Sequence, residues 1–344
     1  MKLLVIRFSA LGDVAMTVPV IYSLALQYPD LSITVLSKSF VAPLFDQMPT
    51  NVTFYGVNLN DFHGIRGLFR LYKQLKKENY DFVADIHDVL RTKVLRFFFR
   101  MTGIRVAHID KGRGEKRALC RSKNKQLVQL KTSFERYAEV FKLLGFPITL
   151  NFKSIFGVGK GNSSLFNVIA TPVIGQHWIG IAPFAAHQGK MLPITTVNEV
   201  ISILCSDQHN HLFLFGGGDE EKHHLQKMAE GKPQVTVVAG RLTMAGELAL
   251  MSHLNVMVSM DSANMHLASL TGIPVVSVWG ATHPYAGFMG WAQQQDHAVQ
   301  ATLSCRPCSV FGNKPCFRGD YACLYLLTAQ EIINKVTSLL PHES

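Results

Sequence analysis

A strand, a helix and a second strand follow one another closely late in the chain, and this stretch constrains the fold most. Residues 256–260 and residues 275–279 are almost entirely apolar, as is typical of strands buried on both faces. Between them, residues 265–270 form a short, mostly apolar helical segment that Gly272 and Pro274 close. The pattern predicts two parallel strands joined by a helix.

The turn after the first of these strands carries polar residues that could bind a ligand. Asp261 and Ser262 are both residue types that cap helix amino ends, and His266 follows one turn later. All three lie where open α/β sheets bind ligands, at the carboxyl end of a strand and the amino end of a helix. The free N–H groups of such a helix end suit a phosphate. Taken alone, the pattern also fits a plain helix cap with His266 on the helix surface.

The same alternation of strands and helices extends along the chain and predicts an α/β fold with parallel, doubly wound sheets. A chain of 344 residues is long for one core, so we expect two domains. Apolar periodicity is lost over residues 145–172, where we place the linker. The predicted domains are residues 1–160 and 173–327. A helix in residues 328–344 follows, and its packing back on the first domain is left open.

A second strand-to-helix turn lies near the amino terminus. Residues 3–6 indicate a buried strand, and residues 14–27 indicate a helix in which Pro19 could introduce a kink. Gly12 permits a tight turn between them, and Asp13 projects from the carboxyl end of the strand. The G-x-G-x-x-G series of dinucleotide-binding proteins is missing. Asp13 is therefore either a helix cap or a functional carboxylate.

Positive charge is concentrated in the first half of the chain. Residues 1–160 contain 25 Lys and Arg against 12 Asp and Glu, whereas residues 161–344 contain 9 against 12. A basic half suits an anionic substrate, a membrane surface or nucleic acid. Residues 111–125 are predicted to form a mobile loop, with charges that are either solvated or used to capture an anionic acceptor. Arg91 and Lys93 are expected near the mouth of that site.

Four of the six cysteines follow the spacing C-x2-C-x7-C-x6-C, at Cys305, Cys308, Cys316 and Cys323. The spacing is similar to that of metal ligands but fits no zinc motif closely. A structural metal site and four reduced thiols in a loop both remain open.

The second half offers further candidates for an anionic ligand. Lys190 is the only Lys or Arg between Lys160 and Lys222, and it lies in a loop after a predicted strand. Pairing with phosphate and simple solvation are about equally compatible with that position. A glycine triplet at 216–218 precedes Asp219 and Glu220 and would let a ligand approach the backbone closely.

Two of these stretches resemble motifs of a known family. Residues 7–14, Arg-Phe-Ser-Ala-Leu-Gly-Asp-Val, resemble the amino-terminal motif of the ADP-heptose:lipopolysaccharide heptosyltransferases, glycosyltransferase family 9. Residues 261–268, with 272–274 and 279–284, resemble the family's carboxyl-terminal nucleotide-sugar motif. The resemblance covers nearly the whole chain and implies the GT-B fold, two Rossmann-like domains facing across a cleft. It places the acceptor on the amino-terminal domain and the nucleotide sugar on the carboxyl-terminal domain.

The resemblance also implies a role for individual residues. Asp13 is similar to the general base, and Lys190 would neutralise the diphosphate leaving group. The remaining donor contacts would come from Asp219 or Glu220 at the ribose, Leu242 at the base, Asp261 at the sugar hydroxyls, and Ser262, Ala263 and His266 at the phosphates. The acceptor contacts would come from Ser9, Arg91 and Lys93. Many family members have Asp-Thr-Gly where this chain has Asp261-Ser262-Ala263, and Ala263 has less conformational freedom than glycine.

The implied function is an inverting glycosyltransferase. It would move a sugar, expected to be heptose, from a nucleotide diphosphate sugar, expected to be ADP-heptose, to a lipopolysaccharide core or related anionic glycolipid. No cofactor is expected for catalysis, because a lysine and helix dipoles can replace a metal; a structural zinc at the cysteines is left open.

The expected partners are the donor and the glycolipid, without nucleic acid, since no RNA- or DNA-binding motif is present. The expected location is the cytoplasm, with peripheral contact with the cytoplasmic face of the inner membrane left open. The alternatives are a nucleotide-sugar epimerase on the same fold and a non-catalytic protein that binds anionic lipid or nucleic acid.

Overall fold

The structure, a computed structural model, describes residues 1–173 and 175–341. The chain forms two compact units. Unit 1 comprises residues 1–111 and 131–155, and unit 2 comprises residues 112–130 with the described residues from 156 onward. The predicted first domain, residues 1–160, included the segment 112–130, which the structure instead places in unit 2.

Strands and helices alternate in both units. The strands are β1 (Lys2–Ile6), β2 (Ser32–Lys38), β3 (Val52–Val57), β4 (Phe82–Asp85), β5 (Arg105–His108), β6 (His177–Ala182), β7 (Asn210–Leu214), β8 (Val235–Val237), β9 (Val256–Met260), β10 (Val275–Trp279) and β11 (Ala298–Gln300). The helices are α1 (Leu11–Ala15), α2 (Val18–Gln27), α3 (Gly64–Lys76), α4 (Leu90–Arg100), α5 (Arg113–Leu119), α6 (Ser133–Leu143), α7 (Ile194–Leu204), α8 (Gly218–Ala229), α9 (Met244–Met251), α10 (Ala263–Leu270), α11 (Ala322–Tyr325) and α12 (Ala329–Thr337). Within the described residues, no helix has both the length and the apolar character needed to cross a bilayer.

Unit 1 is built on a parallel sheet with the strand order β3-β2-β1-β4-β5. Chain connections run outward in opposite directions from β1, so the order reverses between β1 and β4. Ile6 at the end of β1 is in register with Asp85 at the end of β4. The loops that follow these two strands therefore begin side by side, at the position where doubly wound sheets bind ligands.

Unit 2 repeats this arrangement in a parallel sheet with the order β11-β10-β9-β6-β7-β8. The order reverses between β6 and β9, where Ala182 is in register with Ser259. Strands β9 and β10 are buried at every residue, as the apolar runs predicted. The loops after β6 and β9 are the two that carry Lys190 and Asp261.

The helix predicted over residues 14–27 is interrupted. Helix α1 ends at Ala15, and α2 begins at Val18 with Pro19 in its first turn. The Thr17 hydroxyl donates a hydrogen bond to the Val14 carbonyl at 2.7 Å. Proline has no N–H and suits the start of a helix rather than its middle, so the chain breaks before Pro19 instead of kinking at it.

The basic segment predicted as a mobile loop has a defined structure. Helix α5 occupies part of it, and the Lys116 ammonium lies 4.1 Å from the centre of the Phe288 ring. The Lys125 ammonium donates hydrogen bonds of 2.8–3.1 Å to the carbonyls of residues 304, 306 and 307. These cations are therefore held by an aromatic ring and by carbonyl oxygens, which a count of charges in the sequence cannot reveal.

Helix α12 packs within unit 2. Ile332 and Val336 are fully buried in the apolar core of that unit, and α12 contacts α7, β9 and β10. The sequence left open whether this helix packs on the first domain. Its apolar face is instead covered by the sheet that precedes it in the chain.

Arg306 fixes the loops at the end of β10. Its buried guanidinium donates hydrogen bonds of 2.5–3.1 Å to five oxygens, which are the carbonyls of Trp279, Gly280, Thr282 and Ala301 and the side-chain amide oxygen of Gln300. Burial lowers the pKa of Arg306 to about 10, which leaves the side chain charged at neutral pH. One side chain thus holds β10, β11 and the loop between them in place.

We expect Arg306→Met to destabilise the protein by about 3 kcal/mol, because it leaves several buried carbonyls without a donor. Urea unfolding should show a lower midpoint with an unchanged slope. Arg318→Met is the matched control, since Arg318 is exposed and pairs only with the exposed Asp320 among the described residues; it should leave the urea midpoint almost unchanged, because solvent screens an exposed ion pair. Equal losses in the two variants would contradict the structural role of Arg306.

Candidate active site

Asp13 lies in the first turn of α1, directly after β1, and is paired with a buried arginine. The Arg7 guanidinium lies 2.8 Å from the Asp13 carboxylate, which also accepts the Ala10 N–H at 3.3 Å. Arg7 in turn donates to the Ile86 carbonyl at 2.6 Å and lies over the Tyr137 ring. Three further contacts thus orient the pair, while the Asp13 side chain stays 34% exposed. The carboxylate is held rigidly and is still accessible to a ligand.

Ser9, predicted to contact the acceptor, is held by a histidine on the neighbouring strand's loop. His87 Nδ1 accepts the Phe8 N–H at 3.4 Å, and Nε2 lies 3.2 Å from the Ser9 hydroxyl. Burial, with the nearby charges of Arg7 and Lys111, lowers the pKa of His87 to about 3. The imidazole is therefore neutral at physiological pH and holds Ser9 independently of pH in that range.

A buried charge network supports the His87 loop. Arg96 on α4 lies 3.2 Å from the Asp85 carboxylate and 3.4 Å from that of Asp88. Asp85 also accepts the backbone N–H groups of His87 and Asp88 at 3.1 and 2.8 Å. Both carboxylates thus have a cationic partner, which buried charges require. The network fixes the direction in which His87 leaves β4.

The two predicted acceptor-binding cations on α4 have different surroundings. Lys93 lies 3.7 Å from the Asp88 carboxylate and is 46% exposed. Arg91 is half-buried, in the first turn of α4, and borders a pocket beyond the ends of β2 and β3. Lys93 thus extends the buried network, whereas Arg91 faces a space that a ligand could occupy.

In unit 2, Lys190 and Asp261 form an ion pair. The Lys190 ammonium lies 2.9 Å from the Asp261 carboxylate, and their side chains are only 16% and 5% exposed. The pair forms because the loops after β6 and β9 start side by side at the reversal of strand order. Neither residue type is commonly buried without such a partner.

Backbone contacts between glycines shape the loop that carries Lys190. The Ala281 N–H donates to the Gly189 carbonyl at 2.7 Å, and a β-carbon at Gly280 would lie 2.5 Å from that same oxygen. Gly312, with a φ of +74°, lies against the Lys190 stem, where a β-carbon would come within 2.7 Å of Cγ. The close approach of these three segments holds the lysine towards Asp261.

The amino end of α10 is the predicted phosphate site. Ser262 is its N-cap residue, but its side chain makes no capping hydrogen bond and lies 3.3 Å from the Ser259 hydroxyl. The first N–H groups of α10, starting at Ala263, therefore keep their capacity to donate to an anion. His266 is buried one turn further along the helix. The amino end of α10 and Lys190 both provide positive potential near Asp261.

The remaining predicted donor contacts lie on neighbouring loops of the same sheet edge. Asp219 and Glu220 are exposed in the first turn of α8, whose N-cap N–H donates to Glu221 at 2.7 Å. A cavity of about 300 Å³ borders Glu220 between α8 and the loop after β6. Leu242 is half-buried in the loop before α9. Along the edge of the sheet, the predicted donor-binding residues lie in the loops after β9, β6, β7 and β8, in that order.

The four cysteines do not form a metal site among the described residues, where no group of three or more Cys, His, Asp or Glu is placed to hold an ion. Cys308 lies near the Ala281 carbonyl, Cys316 near Asp320, and Cys323 in the core of unit 2. Burial, together with the neighbouring cysteines, raises the pKa of Cys308 and raises that of Cys323 to about 11. The structural zinc that the sequence left open is not confirmed.

Several residues that build the site escaped the sequence analysis. Arg7 was visible only as part of a motif, although its position six residues before Asp13 across one turn could have suggested the pair. The partners Asp85, His87 and Arg96 could not be assigned without the order of the strands.

Residues 68–315 match the model of glycosyltransferase family 9, the heptosyltransferases, over more than half of the chain. The chain belongs to glycosyltransferase family 9. The predicted family and the predicted class of enzyme are confirmed.

Curated relatives of this family 9 glycosyltransferase are lipopolysaccharide heptosyltransferases. It is 25% identical to lipopolysaccharide heptosyltransferase 3 of Escherichia coli over 278 residues, which covers 79% of this chain and 81% of the relative. It is 22% identical to lipopolysaccharide heptosyltransferase 1 of Pseudomonas aeruginosa, covering 90% of this chain and 86% of the relative.

Solved structures confirm the predicted GT-B fold class. E. coli ADP-heptose LPS heptosyltransferase II has a TM-score of 0.73 and 20% identity, covering 98% of each chain. E. coli heptosyltransferase WaaC with ADP has a TM-score of 0.70 and 18% identity, covering 98% of this chain and 99% of that one. Identities this low establish the fold and leave substrates to be argued from the site.

Glu247 was also missed by the sequence analysis. It lies in the first turn of α9, five residues after Leu242, and burial raises its pKa from 4.5 to about 7. The folded protein therefore binds a proton at Glu247 more tightly than the unfolded chain does. Stability is expected to fall as the pH rises from about 4.5 to about 7, with the full cost present above that range.

We expect Glu247→Gln to remove this pH dependence. The variant should gain stability relative to the wild type by up to about 3 kcal/mol between pH 4.5 and 8, since one pKa unit corresponds to about 1.4 kcal/mol. Chemical denaturation at a series of pH values measures the difference. Glu199→Gln, at an exposed position on α7, is the control, and its stability relative to the wild type should not change with pH. If the stability difference between Glu247→Gln and the wild type also did not change with pH, the raised pKa of Glu247 would be contradicted.

Proposed function

We propose that this family 9 enzyme transfers heptose from ADP-heptose to a lipopolysaccharide core or related anionic glycolipid, with inversion at the anomeric carbon. The buried Lys190–Asp261 ion pair beside the uncapped start of α10 is the observation that carries the proposal. It joins a cation and anion-binding N–H groups, which suit a diphosphate, to a carboxylate, which suits sugar hydroxyls. The curated relatives are named as heptosyltransferases, which favours heptose as the sugar.

The donor would lie along the carboxyl edge of the unit 2 sheet. Its diphosphate would contact Lys190 and the first turn of α10, with Ser262, Ala263 and His266 as the residues nearest the phosphates. Its ribose would meet Asp219 or Glu220 in the first turn of α8, and its base would lie near Leu242. When the diphosphate binds, Lys190 would share its charge between Asp261 and the phosphates.

Transfer requires a base for the acceptor and charge neutralisation for the leaving group. The acceptor hydroxyl oxygen attacks the anomeric carbon on the face opposite the diphosphate, and its proton passes to the Asp13 carboxylate. The bond from the anomeric carbon to the phosphate oxygen breaks, and ADP leaves with its added negative charge near Lys190 and the α10 dipole. Arg7 keeps the Asp13 carboxylate oriented during the transfer.

The acceptor would be bound by unit 1, with Ser9, Arg91 and Lys93 as its contacts. Because the relatives act on lipopolysaccharide by name, we place the enzyme in the cytoplasm, at the cytoplasmic face of the inner membrane, where a glycolipid acceptor is accessible. Membership of a glycosyltransferase family does not favour the epimerase, and it does not favour a non-catalytic lipid- or nucleic-acid-binding protein.

Asp13→Asn should lower kcat by about 10²- to 10⁴-fold, because an amide cannot accept the proton. Initial rates of ADP release with acceptor present measure the loss, and calorimetric titration should show donor affinity within about twofold of the wild type. Asp30→Asn, at an exposed position of the same unit, is the control and should retain full activity. A kcat for Asp13→Asn close to that of the control would reject the base assignment.

Lys190→Met should weaken ADP-heptose binding by about tenfold to a hundredfold, since it removes a charge-assisted contact to the diphosphate. Gly312→Ala should cause a smaller loss of about threefold to tenfold, because it pushes Lys190 from its rotamer while keeping both charges. Donor titrations measure both.

Lys190→Met also leaves Asp261 buried without its cation, so its titrations are done well below the unfolding temperature. Lys227→Met on the exposed face of α8 is the control. If Lys190→Met and Gly312→Ala bound the donor as tightly as Lys227→Met does, Lys190 would not contact the diphosphate.

A further inference from the structure

Helices α3 and α4 pack side by side in unit 1 and carry charge of one sign. Each helix contains four Lys or Arg and no Asp or Glu. Within the described residues, Lys93 has the Asp88 carboxylate at 3.7 Å, whereas the other exposed cations of the two helices have no carboxylate within 4 Å. These other exposed cations are Arg66, Arg70, Lys73, Lys76 and Arg100. Such a surface attracts anions.

The outward side of α4 is also apolar. Leu90 begins the helix, Phe97 follows two turns later, and Met101 is the C-cap residue one turn beyond. This spacing places the three side chains on one side of the helix. They are 80%, 58% and 72% exposed, respectively, and Lys93 and Arg100 flank them. Single exposed apolar residues are common on protein surfaces, but an aligned set is typical of a contact surface.

Helix α3 extends this apolar stripe. The Phe98 ring on α4 packs against Phe69 on α3, with ring centres 5.2 Å apart, and against Phe97, at 6.0 Å. Phe69 is partly exposed, and the exposed Ile65 precedes it by one turn. The Lys73 ammonium lies 4.9 Å from the centre of the Phe69 ring. The exposed apolar side chains of both helices thus form one surface edged by cations, which we call the α3–α4 face.

An anionic lipid bilayer matches both properties of the α3–α4 face. Helices that lie in a membrane interface combine Phe or Leu on one side with Lys and Arg beside it. The apolar side chains enter the boundary between headgroups and acyl chains, while the long stems of Lys and Arg keep their charges among the lipid phosphates. A nucleic acid would also attract the cations. It offers no apolar medium for Leu90 and Met101, so the exposed aliphatic side chains favour the bilayer.

We propose that the α3–α4 face docks on an anionic phospholipid bilayer, with the outward side of α4 inserted at the level of the headgroups. The inference rests on the proposed membrane location and deepens it, because it assigns the contact to particular residues. Helix α4 begins shortly after His87, which contacts Ser9. Docking through α4 therefore brings the bilayer surface close to the loops that carry the candidate acceptor contacts.

Sedimentation with vesicles tests the docking. Vesicles of phosphatidylglycerol and phosphatidylethanolamine in equal parts should bind the wild type, and phosphatidylcholine vesicles should bind it weakly. The double variant Lys73→Gln/Arg100→Gln should lower the partition coefficient on anionic vesicles by about twentyfold, at about fivefold per cation. Phe97→Ser/Met101→Ser should lower it by about tenfold. All four side chains are exposed, so these variants should keep the circular dichroism spectrum of the wild type.

The matched control is Lys142→Gln/Leu143→Ser. It likewise changes an exposed cation and an exposed apolar residue of unit 1, but on α6, which packs against α2. This variant should bind anionic vesicles as the wild type does. Insertion is measured with Phe97→Trp, whose added emission should be quenched by lipids brominated on their acyl chains. The added emission of Leu143→Trp should not be quenched.

Three results would overturn the proposal. They are failure of the wild type to bind anionic vesicles, partition coefficients of both double variants equal to that of the control, and absence of quenching in Phe97→Trp. If the wild type instead bound an RNA or DNA duplex tightly, with binding that only the Lys73→Gln/Arg100→Gln variant weakened, the α3–α4 face would be a nucleic-acid surface.

The docking and the proposed sugar transfer can fail separately. With a water-soluble acceptor oligosaccharide and ADP-heptose, both double variants should keep the kcat of the wild type, since none of the changed residues is a candidate ligand of donor or acceptor. Vesicle binding as expected without any sugar transfer would reject the proposed function and leave the docking in place. Sugar transfer without vesicle binding would reject the docking alone.

Discussion

The parallel pairing of β6 with β9 is the constraint on which the candidate donor site depends. Lys190 and Asp261 are far apart in the sequence, and only the reversal of strand order between these two strands brings their loops together. Unit 1 uses the same device between β1 and β4, where it brings Ser9 against His87. In both units the strand order reverses at one point, and the crossover connections on either side of it run in opposite directions. The polar residues of the candidate sites lie in the loops at this point.

Arginines hold these loops in shape. Arg7, Arg96 and Arg306 are all buried, and each bridges segments that are separate in sequence. A planar guanidinium with five N–H donors can satisfy several carbonyls or carboxylates at once, which a lysine cannot do. Buried arginines thus help to fix the shape of these loops, together with apolar packing.

The sequence predicted those parts of the structure that depend on local pattern. The runs at β9 and β10 were recognisable because they are short, apolar and bounded by turn residues, and Asp13 and Asp261 could be placed at strand ends for the same reason. Pairing between distant residues was not accessible: Lys190 meets Asp261, and Lys125 meets the backbone of Arg306, through strand order and loop packing alone. The structural zinc that the cysteine spacing left open is not confirmed, because spacing along the chain does not by itself show whether thiols can surround an ion.

The insertion of residues 112–130 into unit 2 has a consequence for synthesis. Leu130 bonds to Tyr285, and Lys125 bonds to the backbone around Arg306, so this segment leaves the ribosome long before its partners exist. At about 5–20 residues per second, the wait is on the order of ten to thirty seconds. During that time the strands of unit 1 can pair with one another, but a basic segment containing Leu119 and Leu130 stays uncovered in the nascent chain. Synthesis of residues 285–307, rather than local collapse, therefore sets when this part of the enzyme can reach its native contacts.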